Sequence, residues 1–195
     1  MRTMRCTWLV CAGVVACAGE TREATGGGER HPAWSPVDAC ALFTREDAVR
    51  LLGGEVGEPT RGTDLHEESS GRSLSHCAYT AGATMRSASL LVRRGPGDPL
   101  PGSIEEVRAQ SRAAAAGESD EDLRELAEAG AKLVEEGEPV PGVGRVAWWS
   151  RELKQLTVYV EPHWMLVITA SPDREAADGG QGSAVELARL VAARL

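Results

Sequence analysis

Two apolar segments near the carboxyl end, separated only by Pro162 and His163, constrain the fold of this 195-residue chain most strongly. In residues 155–161 apolar and polar side chains alternate, which is the period of a strand with one buried face. Residues 164–170 are almost continuously apolar, as expected of a central strand. Together they predict an antiparallel hairpin inside a sheet.

Four further segments have the apolar spacing and boundary residues of helices. Thr44 has the position of an N-cap in the first of them, and the third is expected to begin after Ser119 and to end at Gly130. The predicted helices cover residues 44–52, 103–116, 120–129 and 183–195.

Residues 75–80 and 87–93 are also predicted to be strands, and residues 143–149 lead into a further one. The first two are expected to pair as a hairpin, with Cys77 and Tyr79 on one face of their strand. The order of elements is helix, strands, helices, strands, helix. This order predicts a single α+β domain over residues 37–195, an antiparallel sheet with helices packed on it.

The amino terminus has the composition of a secretory signal. Arg2 and Arg5 precede a run of about eleven apolar residues that ends in small side chains. The run is too short to span a hydrocarbon core of roughly 30 Å, which needs about 20 helical residues. Residues 1–16 are therefore predicted to be a signal peptide and not a transmembrane anchor.

The end of this signal is more specific. The four residues Val14-Val15-Ala16-Cys17 resemble the lipobox of bacterial lipoproteins. The resemblance implies cleavage before Cys17, acyl chains on Cys17 and attachment to a bacterial membrane. Residues 17–36 are rich in glycine, proline and charge, and are predicted to be a flexible linker. Ordinary signal cleavage after Ala18 is the alternative.

The charge of the chain limits its partners. The formal net charge is −8, and loss of Arg2 and Arg5 with the signal would leave 19 basic residues against 29 acidic ones, a net charge of −10. Nucleic acid is not expected as a partner, because binding to phosphates needs clustered lysine and arginine. Such a charge favours a monomer.

After cleavage before Cys17, two further cysteines remain, Cys40 and Cys77. An even number in an oxidising compartment predicts one disulfide, with two unrelated buried thiols as the alternative. The spacing fits no zinc motif, so no metal or cofactor is expected.

Short motifs around these cysteines resemble a family of uncharacterised secreted bacterial lipoproteins. The matching residues are Cys40-Ala41-Leu42-Phe43-Thr44 before a helix, Cys77-Ala78-Tyr79 after it, and the Gly142-Val143-Gly144 turn before paired strands. The resemblance implies a disulfide and a sheet, and it carries no activity. The order of elements is also loosely similar to PsbP-like proteins, a likeness of fold alone.

The candidate binding residues are aromatic. Trp148 and Trp149 are neighbours on a predicted strand and must face opposite ways, and Tyr159 lies on the adjacent strand. One reading is an aromatic platform for a sugar, peptide or lipid. The other is that helices cover these side chains as ordinary core.

No catalytic motif is present in the sequence, such as a nucleophile elbow or a phosphate-binding loop. The sequence therefore favours a membrane-anchored cell-envelope lipoprotein whose domain binds or scaffolds an envelope partner and is not an enzyme. One alternative is a hydrolase that uses dispersed carboxylates, with Glu67, Glu68, Glu161 and Asp173 as candidates. Another is a small-molecule or lipid carrier with an apolar pocket near Trp148 or Trp149.

Overall fold

The computed structural model describes residues 36–62, 64–67, 70–82, 86–95, 100–171 and 178–195. The predicted signal peptide, Cys17 and the linker up to residue 35 lie outside these residues, as do Glu68 and Asp173. The described elements, in chain order, are α1 (Ala39–Leu42), α2 (Arg45–Leu52), β1 (Thr60–Arg61), β2 (Leu65–Glu67), β3 (Arg72–Ala81), β4 (Arg86–Arg94), α3 (Ile104–Gly117), α4 (Glu121–Glu135), β5 (Glu138–Pro139), β6 (Val146–Ser150), β7 (Gln155–Val160), β8 (Trp164–Ser171) and α5 (Gln181–Ala192).

The predicted α+β fold is confirmed. The strands form an eight-stranded antiparallel sheet in the order β1-β3-β4-β8-β7-β6-β5, with β2 also paired to β3. The nearly continuous apolar strand β8 lies between β4 and β7, at the centre, as its composition predicts. The hairpins β3–β4 and β7–β8 are both present.

One face of the sheet carries the main core. Helices α1, α2 and α5 pack on this face, which we call the core face. Thr44 caps α2, as the sequence predicts, and it forms a capping box with Asp47. Cys77 and Tyr79 both point to this side and are buried.

Within the described residues, the opposite face, which we call the second face, is covered by helices at one corner. Helices α3 and α4 form a hairpin that packs over β6. Farther along this face, Leu74, Leu91 and Val167 on β3, β4 and β8 are half-buried. In the described part of the chain, the helical cover of the second face is therefore limited to the hairpin over β6.

The predicted boundaries of α4 are wrong at both ends. Asp120, not Ser119, caps the helix, because its carboxylate accepts hydrogen bonds from the N–H groups of Asp122 and Leu123. The helix also continues through Gly130 to Glu135. Burial of Val134 against the sheet outweighs the cost of about 1 kcal/mol that a glycine imposes inside a helix.

Candidate functional site

The candidate site is a cleft between the α3–α4 hairpin and the sheet. Ser103 caps α3 through the N–H of Glu106, and the side chain of Glu106 accepts from Gly102. Ile104 and Val107 of α3 then pack with Val134 of α4 against β6. These contacts fix the base of the hairpin on the second face.

Two aromatic rings form the floor of the cleft. Trp148 on β6 and Tyr159 on β7 lie on the same face because Trp148 pairs with Thr157, two residues before Tyr159. Their ring centroids are 5.9 Å apart and their planes are inclined by 33°. Trp148 is only 5% exposed, whereas Tyr159 is half-buried. Because Trp148 is covered, the aromatic pair does not form an open platform.

Small side chains form the walls. The cleft has a volume of about 180 Å³, and besides the two rings it is lined by Val107, Gln110, Ser111, Ala114, Ala127, Gly130, Ala131 and Val134. The short side chains of alanine, glycine and serine leave this space between the helices unfilled. Gln110 and Ser111 supply its polar groups, and the rest of the lining is mainly apolar.

Gly137 sets the position of Trp148 beneath the hairpin. A Cβ atom at this position would lie 2.5 Å from Cδ1 of the Trp148 ring, closer than real contacts allow. The guanidinium of Arg108 on α3 donates a hydrogen bond of 2.9 Å to the carbonyl of Gly137. The turn after α4 is therefore held against both the ring and α3.

Trp149 belongs to another part of the molecule. It lies on the core face, is 1% exposed and packs in the main core. Of the three predicted aromatic residues, the structure thus brings Trp148 and Tyr159 together and separates Trp149 from them. Strand alternation explains both outcomes.

The predicted disulfide between Cys40 and Cys77 is confirmed. It joins α1 to β3 across a Cα–Cα distance of 5.1 Å. Asp38 caps α1 and also binds Arg61, on β1. Burial alone would raise the pKa of Asp38, but the hydrogen bonds from Arg61, Cys40 and Ala41 hold it below its ordinary value.

The candidate carboxylates do not converge where they are described. Glu67 is on β2 and Glu161 directly follows β7, so β3, β4 and β8 lie between them. Four interstrand spacings amount to about 19 Å along the sheet, which exceeds the separation of about 5–9 Å found in glycosidase carboxylate pairs. Glu161 is instead bound to Arg145 at 2.6 Å.

The described ranges contain neither a metal-binding cluster nor a helix that could cross a membrane. No group of three or more His, Cys, Asp or Glu side chains there is arranged to hold a metal ion. Within the same part of the chain, no helix has the length and apolar character that crossing a bilayer requires.

Sequence reasoning missed the walls of the cleft. The alanines, serine and glycine that line it carry no chemistry that a motif would reveal. The available signal is the excess of small residues on α3 and α4, which indicates closely spaced helices. No protein-family model, no curated protein and no solved structure matches this chain, so the resemblance to secreted lipoproteins stays a prediction.

Proposed function

We propose that this chain is a cell-envelope lipoprotein, exported, anchored through acyl chains on Cys17, and carrying a binding domain that does no catalysis. The Cys40–Cys77 disulfide is the observation that carries this proposal. Such bonds persist in oxidising compartments outside the cytoplasm. After cleavage at the lipobox the chain has three cysteines. Because Cys40 and Cys77 are paired, Cys17 remains for acylation.

The position of the disulfide suits a tethered domain. Cys40 lies in α1, four residues after the end of the linker that the sequence predicts over residues 17–36. The bond therefore ties the point where the linker meets the domain to β3 of the sheet.

The cleft supports a binding role and favours a protein partner over a stored small molecule. Ligand pockets are usually about 300–1,000 Å³ and enclose most of their ligand. The cleft at Trp148 and Tyr159 is about 180 Å³ and open at one side. This is room for one or two side chains of a partner. The cleft therefore supports a role in binding a protein partner better than a role as a small-molecule carrier.

The anchor is tested by fractionating cells that produce the wild type, Cys17→Ala or Cys11→Ala. Two acyl chains give stable membrane attachment, and a net charge of −10 opposes adsorption to anionic lipid. We expect the wild type and Cys11→Ala in the membrane fraction after a high-salt wash, and Cys17→Ala outside it. Membrane retention of Cys17→Ala, or a wild type that is washed off, would contradict the proposal.

A further inference from the structure

The apolar surface of the cleft continues along α4 towards the tip of the hairpin. Leu123 lies one helical turn before Ala127, and Leu126 one turn before Gly130, so each leucine shares a helix face with a residue that lines the cleft. Leu123 and Leu126 are 46% and 47% exposed. We call the cleft together with these two leucines the hairpin groove.

The shape of the hairpin groove fits a helical segment. Alanine and glycine on α4 allow a second backbone to approach closely, and the leucines give apolar contacts at i and i+3. Trp148 and Tyr159 form the floor of the cleft, against which one large side chain of a partner would pack. Apolar grooves of this kind bind the apolar stripe of an amphipathic helix.

Charge identifies the chemistry of the occupant. Residues 118–128 contain six acidic residues and one basic residue, Arg124. Glu121, Asp122 and Glu125 are all exposed beside the two leucines. A segment that buries these leucines brings its flanking side chains to the carboxylates, so lysine and arginine are favoured there. A second copy of this acidic chain, or an anionic membrane surface, would be repelled.

We propose that the hairpin groove binds a basic amphipathic segment of another protein, with its apolar side chains against Leu123 and Leu126 and its basic side chains against the carboxylates of α4. The proposal deepens the binding role given above and rests on it, but it is independent of the lipid on Cys17. The fractionation experiment can therefore contradict the lipid anchor without contradicting binding to the hairpin groove. A negative result in the binding experiment likewise does not contradict the anchor.

The test uses the purified full chain and a fluorescein-labelled peptide of two Leu-Lys-Lys-Leu-Leu-Lys-Leu heptads, followed by fluorescence anisotropy. The variant Leu123→Gln/Leu126→Gln removes apolar contact and is expected to weaken binding about tenfold. Leu153→Gln is the matched control, because Leu153 is 45% exposed on the turn between β6 and β7. It is expected to bind as the wild type does.

A second variant, Glu121→Gln/Glu125→Gln, keeps the proposal testable if the leucine variant loses helix content by circular dichroism. It is expected to weaken binding about threefold at low salt, with a smaller difference at high salt. Equal binding by the wild type and the folded groove variants would overturn the proposal. Equal affinity for a peptide with glutamate in place of lysine would also overturn the proposal. A third contradicting result is a wild type that is a dimer together with a leucine variant that is a monomer.

Discussion

The guanidinium of Arg194, just beyond α5, binds the buried carboxylate of Asp47 on α2 through two hydrogen bonds, one of them 3.0 Å from Nη2 to Oδ1. The same guanidinium donates to the carbonyl of Leu42. Since Asp47 is 5% exposed, its carboxylate depends on this partner for compensation. The carboxyl end of the chain is thereby attached to the first helices of the domain.

Removing the guanidinium is expected to destabilise the domain. Arg194→Gln removes the charged hydrogen-bond donor of Asp47 and leaves it the more distant guanidinium of Arg50, at 3.8 Å. A hydrogen bond to a charged group contributes about 1.5–3 kcal/mol. Because Arg194 itself is 35% exposed, we expect a loss of about 1–3 kcal/mol in the free energy of unfolding by urea. Arg189→Gln, exposed on α5, is the control and should cost less than about 0.5 kcal/mol. Equal effects of the two substitutions would contradict this role.

The same pair predicts a pH dependence. Burial raises the pKa of Asp47, but the hydrogen bonds from Arg194 and Thr44 outweigh it, and the pKa lies below its ordinary value of 3.8. A lowered folded-state pKa gives stability that is present above the unfolded pKa and lost as the pH falls through the folded one. The urea concentration at the midpoint of unfolding should therefore decrease once the pH is lowered below about 4. The Asp47→Asn variant should have a lower urea midpoint at neutral pH and a smaller decrease in acid. An equal decrease for the wild type and the variant would show that Asp47 does not cause the pH dependence.

The disulfide is expected to contribute strongly to stability. Its two cysteines are 37 residues apart, for which the chain-entropy relation gives about 4 kcal/mol. Cys40→Ala/Cys77→Ala should lower the free energy of unfolding by roughly this amount, and a reducing agent should lower that of the wild type similarly without affecting the variant. If a reducing agent does not change the free energy of unfolding of the wild type, the disulfide does not contribute to stability as proposed.

Gly137 gives a prediction about the base of the candidate site. Gly137→Ala places a methyl group 2.5 Å from the Trp148 ring and 3.1 Å from the carbonyl oxygen of Val134, so ring and backbone must shift. Overpacking of this kind costs about 1–3 kcal/mol. Gly117→Ala is the matched control, because a Cβ there meets nothing within 4 Å. Similar urea midpoints for the two variants would show that Trp148 is not held as described.

Most of the sheet could be predicted because strand period and composition are local. Alternation placed Cys77 and Tyr79 on one face of their strand, and the continuous apolar run identified the central strand β8. The short strands β1, β2 and β5 have two or three residues each, too few for a period to be recognised. They exist because longer neighbours offer edges to pair with.

The helical hairpin shows why the site could not be predicted. Gly130 has the local signature of a helix end, yet tertiary packing of Val134 carries α4 past it. The cleft depends on the spacing of two helices above Trp148, which is set by the packing of three segments and not by any local pattern. The sequence could place Trp148 and Trp149 on opposite faces, but not determine which one the hairpin covers.

The intact mass of the protein from the membrane fraction, measured for the wild type and Cys17→Ala with and without reduction, tests the central claim most directly. The account predicts a wild-type species that begins at Cys17, carries acyl chains and gains the mass of two hydrogen atoms when Cys40–Cys77 is reduced. Cys17→Ala should yield no acylated species. A soluble, unacylated wild type that begins after Ala18 would contradict the lipid anchor.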